Sequence, residues 1–237
     1  MPVRAVVLPA TVLLVPGAAG LAPPLEPVRA AVLAEVARCV GPDGGAPARW
    51  GVLAAAARDS VGRCRPSLAG AGIADRWVPG LDDGWPAARA AVLCGVPASV
   101  ALLVLAEAAG RAAAVEALVV ELAPTAAEDR LAAAVDALAD CDAVLVAAGA
   151  AHRAVAGPSA GDPAVTEVQE RLAERSGWVA TRRPVPAAGP HLPGRYDVVT
   201  WGTPAGPSGQ NRVSANQSTP ASSSQNRAAR PTRTVGT

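Results

Sequence analysis

Between residues 115 and 148 the chain alternates short, almost wholly apolar runs with one segment of helical spacing, and this pattern limits the fold more than any other feature. Residues 115–122 (VEALVVEL) and 142–148 (DAVLVAA) are strand-length and rich in Val and Leu. Between them, residues 126–139 have helical periodicity. Thr125 is the expected N-cap there, and Glu128 completes a capping box. Residues 3–8 (VRAVVL), ended by Pro9, and residues 50–56 read as further buried strands. Residues 25–40 carry Val28, Val32, Leu33, Val36 and Val40 at helical spacing, with Pro23 and Pro24 before them and Gly41 after. Residues 97–109 form an apolar helix stopped by Gly110. Residues 162–176 form an amphipathic helix with Asp162 as cap and Pro163 first. Residues 72–78 read as an edge strand, 86–93 as a short helix and 196–201 (YDVVTW) as the last strand.

Near-continuous apolar strands alternating with helices predict one α/β domain over residues 1–202. Its sheet is mostly parallel or mixed, with helices on both faces. Leu13, Val15, Val28, Val32, Val119 and Val144 are expected in its core. Residues 203–237 differ. Of these 35 residues, 24 are Gly, Pro, Ser, Thr, Asn or Gln, with no acid and two Val, which predicts a disordered tail.

The charges nearly cancel, with 21 Arg and no Lys against 20 acids. That balance argues against partners recruited by bulk charge, so no nucleic acid and no membrane surface is expected. A small molecule or a protein partner remains open, as does a homo-oligomer. The longest apolar runs are too short to span a bilayer. Arg4, the apolar run 5–15 and the small residues 17–22 together look like a secretory signal. Pro9 and Pro16 interrupt it, so a cytoplasmic protein is expected and a secreted one is the alternative. Cys39, Cys64, Cys94 and Cys141 include no CxxC pair. They are read as reduced, small apolar residues, with two disulfides as the secreted alternative.

Chemistry-bearing residues are sparse. There is no phosphate-binding loop, nucleophile elbow or HExxH motif, and only two histidines. His152, in AAGAAHR just past a strand end, stands where an α/β fold places a general base. A plain loop histidine is the competing account. His191 lies in a Pro/Gly loop and is expected to be exposed. Arg58 and Asp59 follow the second strand, to bind an anion or to pair with each other. The acids 82, 83, 140 and 142 are expected to be solvated, and Trp77, Trp85 and Trp178 to pack at core or rim.

Several segments in order carry a resemblance: AVVLPATVLLVPGAAG, RWGVLAAAARDS, LAGAGIADRWV, VEALVVELAPTAAEDRLAAAVDAL, DAVLVAAGAAHR and RYDVVTW. They are similar to the class III extradiol ring-cleavage dioxygenase family, in an uncharacterised actinobacterial branch, over roughly residues 3–202. The resemblance implies a single α/β domain and an Fe(II) held by two His and one Glu, opposite a catalytic His. In the family the first ligand sits in a PHPP-like run after the first strand; this chain has Pro9-Ala10-Thr11-Val12. At the second position it has Ala55-Ala56-Ala57-Arg58. His152 matches the catalytic His, whereas Glu167, Glu170 and Glu174 match no Glu motif. The resemblance therefore implies no metal-ligand residues and no bound cofactor, Fe(II) included. It points to a binding or interaction module with a vestigial pocket near His152. The alternative is an active oxidoreductase, with non-haem iron or without metal, that uses His152 as acid/base on a catechol-like aromatic.

Overall fold

The computed structural model describes residues 3–18, 20, 24–40, 47, 49–81, 85, 92–148, 162–187, 189 and 191–204. Seven strands form one sheet: β1 (Val3–Pro9), β2 (Trp50–Ala55), β3 (Ser60–Gly62), β4 (Leu118–Leu122), β5 (Ala143–Ala148), β6 (Val179–Pro186) and β7 (Arg195–Gly202). The helices are α1 (Glu26–Cys39), α2 (Val96–Ala108), α3 (Arg111–Glu116), α4 (Glu128–Ala139) and α5 (Pro163–Ser176).

The strand order is β3-β4-β2-β5-β1-β7-β6. The central four strands are parallel, while β3 and β7 run antiparallel to their neighbours β4 and β1. This is the mixed α/β sheet that the alternating pattern predicts. Successive strand residues enter two different cores. Val6, Leu8, Val52, Ala54, Val119 and Leu145 meet α1 and α2 residues such as Val28, Val32, Val100 and Leu105. Ala5, Leu53, Val120, Val144 and Val146 meet Val135 and Leu138 of α4 and Val165, Val168 and Leu172 of α5. Because both faces are covered, the central strands show no polar alternation. Of the expected core residues, Val15, Val28, Val32, Val119 and Val144 are buried and Leu13 is half-buried.

Asp162 caps α5 as expected: its Oδ1 accepts from the Ala164 N–H at 3.1 Å and the Val165 N–H at 3.4 Å. Replacing Asp162 with Ala leaves those donors without a side-chain acceptor. Urea unfolding is expected to show a loss of about 1 kcal/mol; an unchanged midpoint would mean the cap adds nothing.

Other boundaries differ from expectation. α4 starts at Glu128, after Ala127, with no side-chain cap from Thr125 or any other residue. The Glu128 carboxylate instead pairs with Arg171 of α5, and that hydrogen bond holds its carboxyl below the usual range. Residues 72–78 are not a strand. They contain a single-turn 3₁₀ helix at Asp75–Trp77, because the Asp75 carboxylate folds back to accept from Ser67 Oγ at 2.9 Å and Leu68 N at 3.2 Å. The strand expected from residue 115 begins at Leu118, preceded by α3. Strand β6 escapes pattern reading because most of it is exposed; Pro184 and Pro186 fit its edge position. Most of the helix expected at 86–93 lies outside the described residues, and Leu93 is bridged to Arg65.

The cysteines also divide. Cys64 and Cys94 form a disulfide with Cα atoms 5.6 Å apart, which corrects the expectation of four reduced thiols; Cys39 and Cys141 are free. Burial pushes the Cys39 thiol up to about 12 and raises that of Cys141, so neither is an activated nucleophile. No helix among the described residues is long and apolar enough to cross a membrane. The compact body runs to Pro204. From residue 205 onward, the tail lies outside the described residues.

Candidate functional site

Open α/β sheets bind ligands outside the carboxyl ends of their parallel strands. Here β1, β5, β2 and β4 end side by side, at Pro9, Ala148, Ala55 and Leu122. Both ladders continue one step further. Ala10 N–H donates to Ala148 O at 2.7 Å, and Ala56 N–H donates to Leu122 O at 2.9 Å. The loops after the first two strands therefore start at one edge, as the sequence implies. The segment carrying His152 departs from Ala148, beside Ala10, but His152 itself lies outside the described residues.

The side chains at this edge are small or already engaged. Ala10 follows β1. The Thr11 Oγ1 accepts from Leu13 N at 3.3 Å and caps a single 3₁₀ turn at Val12–Leu14. That loop returns against residues 77–79. A Cβ on Gly17, whose φ is +78°, would sit 3.4 Å from both Trp77 O and Pro79 Cδ. After β2 come Ala56, Ala57 and the exposed Arg58 and Asp59. Asp59 does not serve Arg58; its Oδ1 accepts from Ala123 N at 2.7 Å and ties the β2 loop to the β4 loop.

Sequence reading did not single out Glu121. It is buried on β4, with Oε1 accepting from Gly95 N at 2.6 Å and Oε2 accepting from Ser60 Oγ at 3.0 Å. A single acid within an apolar strand was the available signal. Its two bonds fasten the start of α2 and β3 to β4, which is a structural use of the carboxylate.

The late glutamates stand elsewhere. Glu167 bonds Arg171 at 2.7 Å on α5, and Glu170 and Glu174 are exposed on that helix. His191 is exposed, as expected. Among the described residues no three His, Cys, Asp or Glu side chains gather where they hold a metal. Trp85 and Trp178 pack against the cores, whereas Trp77 is 65% exposed with Arg76 5.3 Å from its ring centre, which corrects the expected packing role. Asp140 and Asp142 are exposed, and Asp142 accepts from Arg49 N at 2.9 Å; Asp82 and Asp83 lie outside the described residues.

Compared with known proteins, the chain matches no family model, no curated protein and no solved structure.

Proposed function

We propose that the chain is a binding or interaction module on an extradiol-dioxygenase-like α/β scaffold, without the iron chemistry of that family. One observation carries the reading. The two carboxyl-edge loops that the resemblance assigns to iron-binding histidines hold Ala10 and Thr11 in one and Ala56, Ala57 and Arg58 in the other. Alanine offers no lone pair, the Thr11 hydroxyl is engaged in its own turn, and a guanidinium repels a divalent cation. A single imidazole from His152 is a weak anchor for Fe(II) against water. The ligand recognised at this edge is a small molecule or a protein segment, with His152 beside it as a hydrogen-bonding group.

The test is metal content by mass spectrometry after expression in iron-replete medium, together with an absorbance search for a ring-fission product from a catechol such as protocatechuate. No stoichiometric iron and no product are expected. About one iron per chain, lost in His152→Ala, would establish the alternative, an active ring-cleaving enzyme.

A further inference from the structure

The sheet has two outer strands, and they are unlike. At one end β3 has three residues, Ser60–Gly62. At the other, β6 has eight, Val179–Pro186, and all but Val185 are exposed. The inner side of β6 is paired with β7 along its whole length. Among the described residues no strand pairs with its outer side. An open edge of this length is a template for another chain, and proteins ordinarily blunt such an edge with proline or charge.

Backbone direction decides which part of the edge is open. Ala187 N–H donates to Gly194 O at 3.1 Å, and the β6–β7 register continues from that pair without a shift. In an antiparallel ladder, mutually bonded pairs alternate with unbonded ones. Val185, Arg183, Thr181 and Val179 therefore turn their N–H and C=O groups toward β7, and Ala180, Arg182, Pro184 and Pro186 turn theirs outward. The prolines stand at outward positions, where no ladder bond needs an N–H. They blunt the second half of the edge. The first half stays open, because the N–H groups of Ala180 and Arg182 have no partner among the described residues.

The open half is also basic. Arg182 and Arg183 are adjacent and exposed, so they project to opposite faces of the sheet. Arg183 lies on the α1 face, with its Nη1 3.9 Å from Glu35 Oε1, a carboxylate that Arg38 already holds at 2.6 Å. Arg182 has no ion pair among the described residues.

We propose that residues 179–183 of β6 take up an extended acidic segment of another protein as an added strand. Its backbone pairs with the outward groups of Ala180 and Arg182. Two consecutive acids in an extended segment point to opposite faces, so one meets Arg182 and the other Arg183. Charge selects this occupant over two others. A second copy paired edge to edge would bring the Arg182 and Arg183 side chains of both copies together. The chain's own residues 203–237 contain no acid. The proposal is independent of the reading of the carboxyl edge, because no residue is shared between the two surfaces.

The test uses the full chain and a dye-labelled capped peptide, Thr-Val-Glu-Glu-Val-Thr, with Thr-Val-Gln-Gln-Val-Thr as the uncharged control. Each sequence reads the same in both directions, so it fits a parallel or an antiparallel guest. Fluorescence anisotropy at low ionic strength is expected to show saturable binding of the acidic peptide and about fivefold weaker binding of the control, as two exposed ion pairs of ordinary strength imply. Ala180→Pro removes one outward N–H without touching the β7 ladder or any charge, and is expected to weaken binding about tenfold. Circular dichroism reports whether that variant is folded. If it is not, the wild type is titrated with peptides N-methylated at alternate residues in each of the two frames. The frame that blocks the bonded side should lose binding and the other should keep it. No saturable binding, or equal affinity for the acidic and uncharged peptides, leaves the arginines and prolines as edge protection alone and overturns the proposal. So does undiminished binding by folded Ala180→Pro, or equal binding of the two N-methylated frames. A dimer of the chain alone that Ala180→Pro dissociates would replace the acidic partner with a second copy, and overturns it too.

Discussion

Replacing Cys64 with Ser is expected to lower the unfolding free energy of the oxidised protein by about 3–4 kcal/mol. The bond joins residues 30 positions apart, so it withdraws a long loop from the unfolded ensemble. A closed loop of that length corresponds to roughly 3.6 kcal/mol in the chain-entropy model. The native side of the equilibrium is already organised around the bridge. Arg65 N–H donates to Val92 O at 3.0 Å, and Cys94 N–H returns a bond to Arg65 O at 3.0 Å. Cys94 is followed directly by Gly95, the N-cap of α2, so the bridge also anchors the start of that helix. Two measurements check this. Thiol titration of the denatured, unreduced protein should find the two free cysteines, Cys39 and Cys141. Urea unfolding with and without a thiol reductant should show the reduced wild type as labile as Cys64→Ser. Four titratable thiols, or coincident curves with and without reductant, would remove the bridge from the stability of this protein.

The parts of the fold that the sequence disclosed are those whose burial is symmetrical. β2, β4 and β5 are covered on both faces, so their runs of Val, Leu and Ala admit few alternatives, and α1, α2 and α5 carry proline or glycine at their ends. What stayed hidden depends on neighbours distant in the chain. Strand β6 is legible only through its antiparallel partner β7, since only Val185 of its eight residues is buried. The expected capping box is absent because α4 starts at Glu128, with Ala127 as its N-cap, and Glu128 instead bonds Arg171, 43 residues away. The pairing of Cys64 with Cys94 required knowing that residues 65 and 93 lie side by side. The carboxyl-edge loops were found in their correct place because the end of a parallel strand is set by the strand itself.

Glu121→Leu is the second substitution expected to damage the fold strongly, by about 3 kcal/mol, while Glu121→Gln should cost about 1 kcal/mol or less. Leucine nearly matches the volume of the glutamate, so the comparison isolates hydrogen bonding from packing. With leucine, the Gly95 N–H loses its 2.6 Å acceptor and the Ser60 hydroxyl loses its 3.0 Å one, both supplied by the buried Glu121 carboxylate. Bonds to a charged acceptor are worth about 1.5–3 kcal/mol each, and stranded donors add their own desolvation penalty. Water reaching Ser60, which is exposed as a residue, reduces that sum, which is why the expectation is nearer the cost of one bond than of two. Glutamine keeps the geometry. Its carbonyl accepts from Gly95, and its amide donates to the hydroxyl oxygen of Ser60, which then serves as acceptor. No new side-chain atom is needed near Gly95, where a Cβ would already sit 3.0 Å from Glu121 Oε1. Denaturant unfolding of the two variants decides the matter, and hydrogen exchange at the Gly95 amide gives a local readout. Protection there should fall in Glu121→Leu and persist in Glu121→Gln. If leucine were tolerated as well as glutamine, Glu121 would be released from its structural role, and a buried carboxylate near the end of a central strand would have to be explained by chemistry instead.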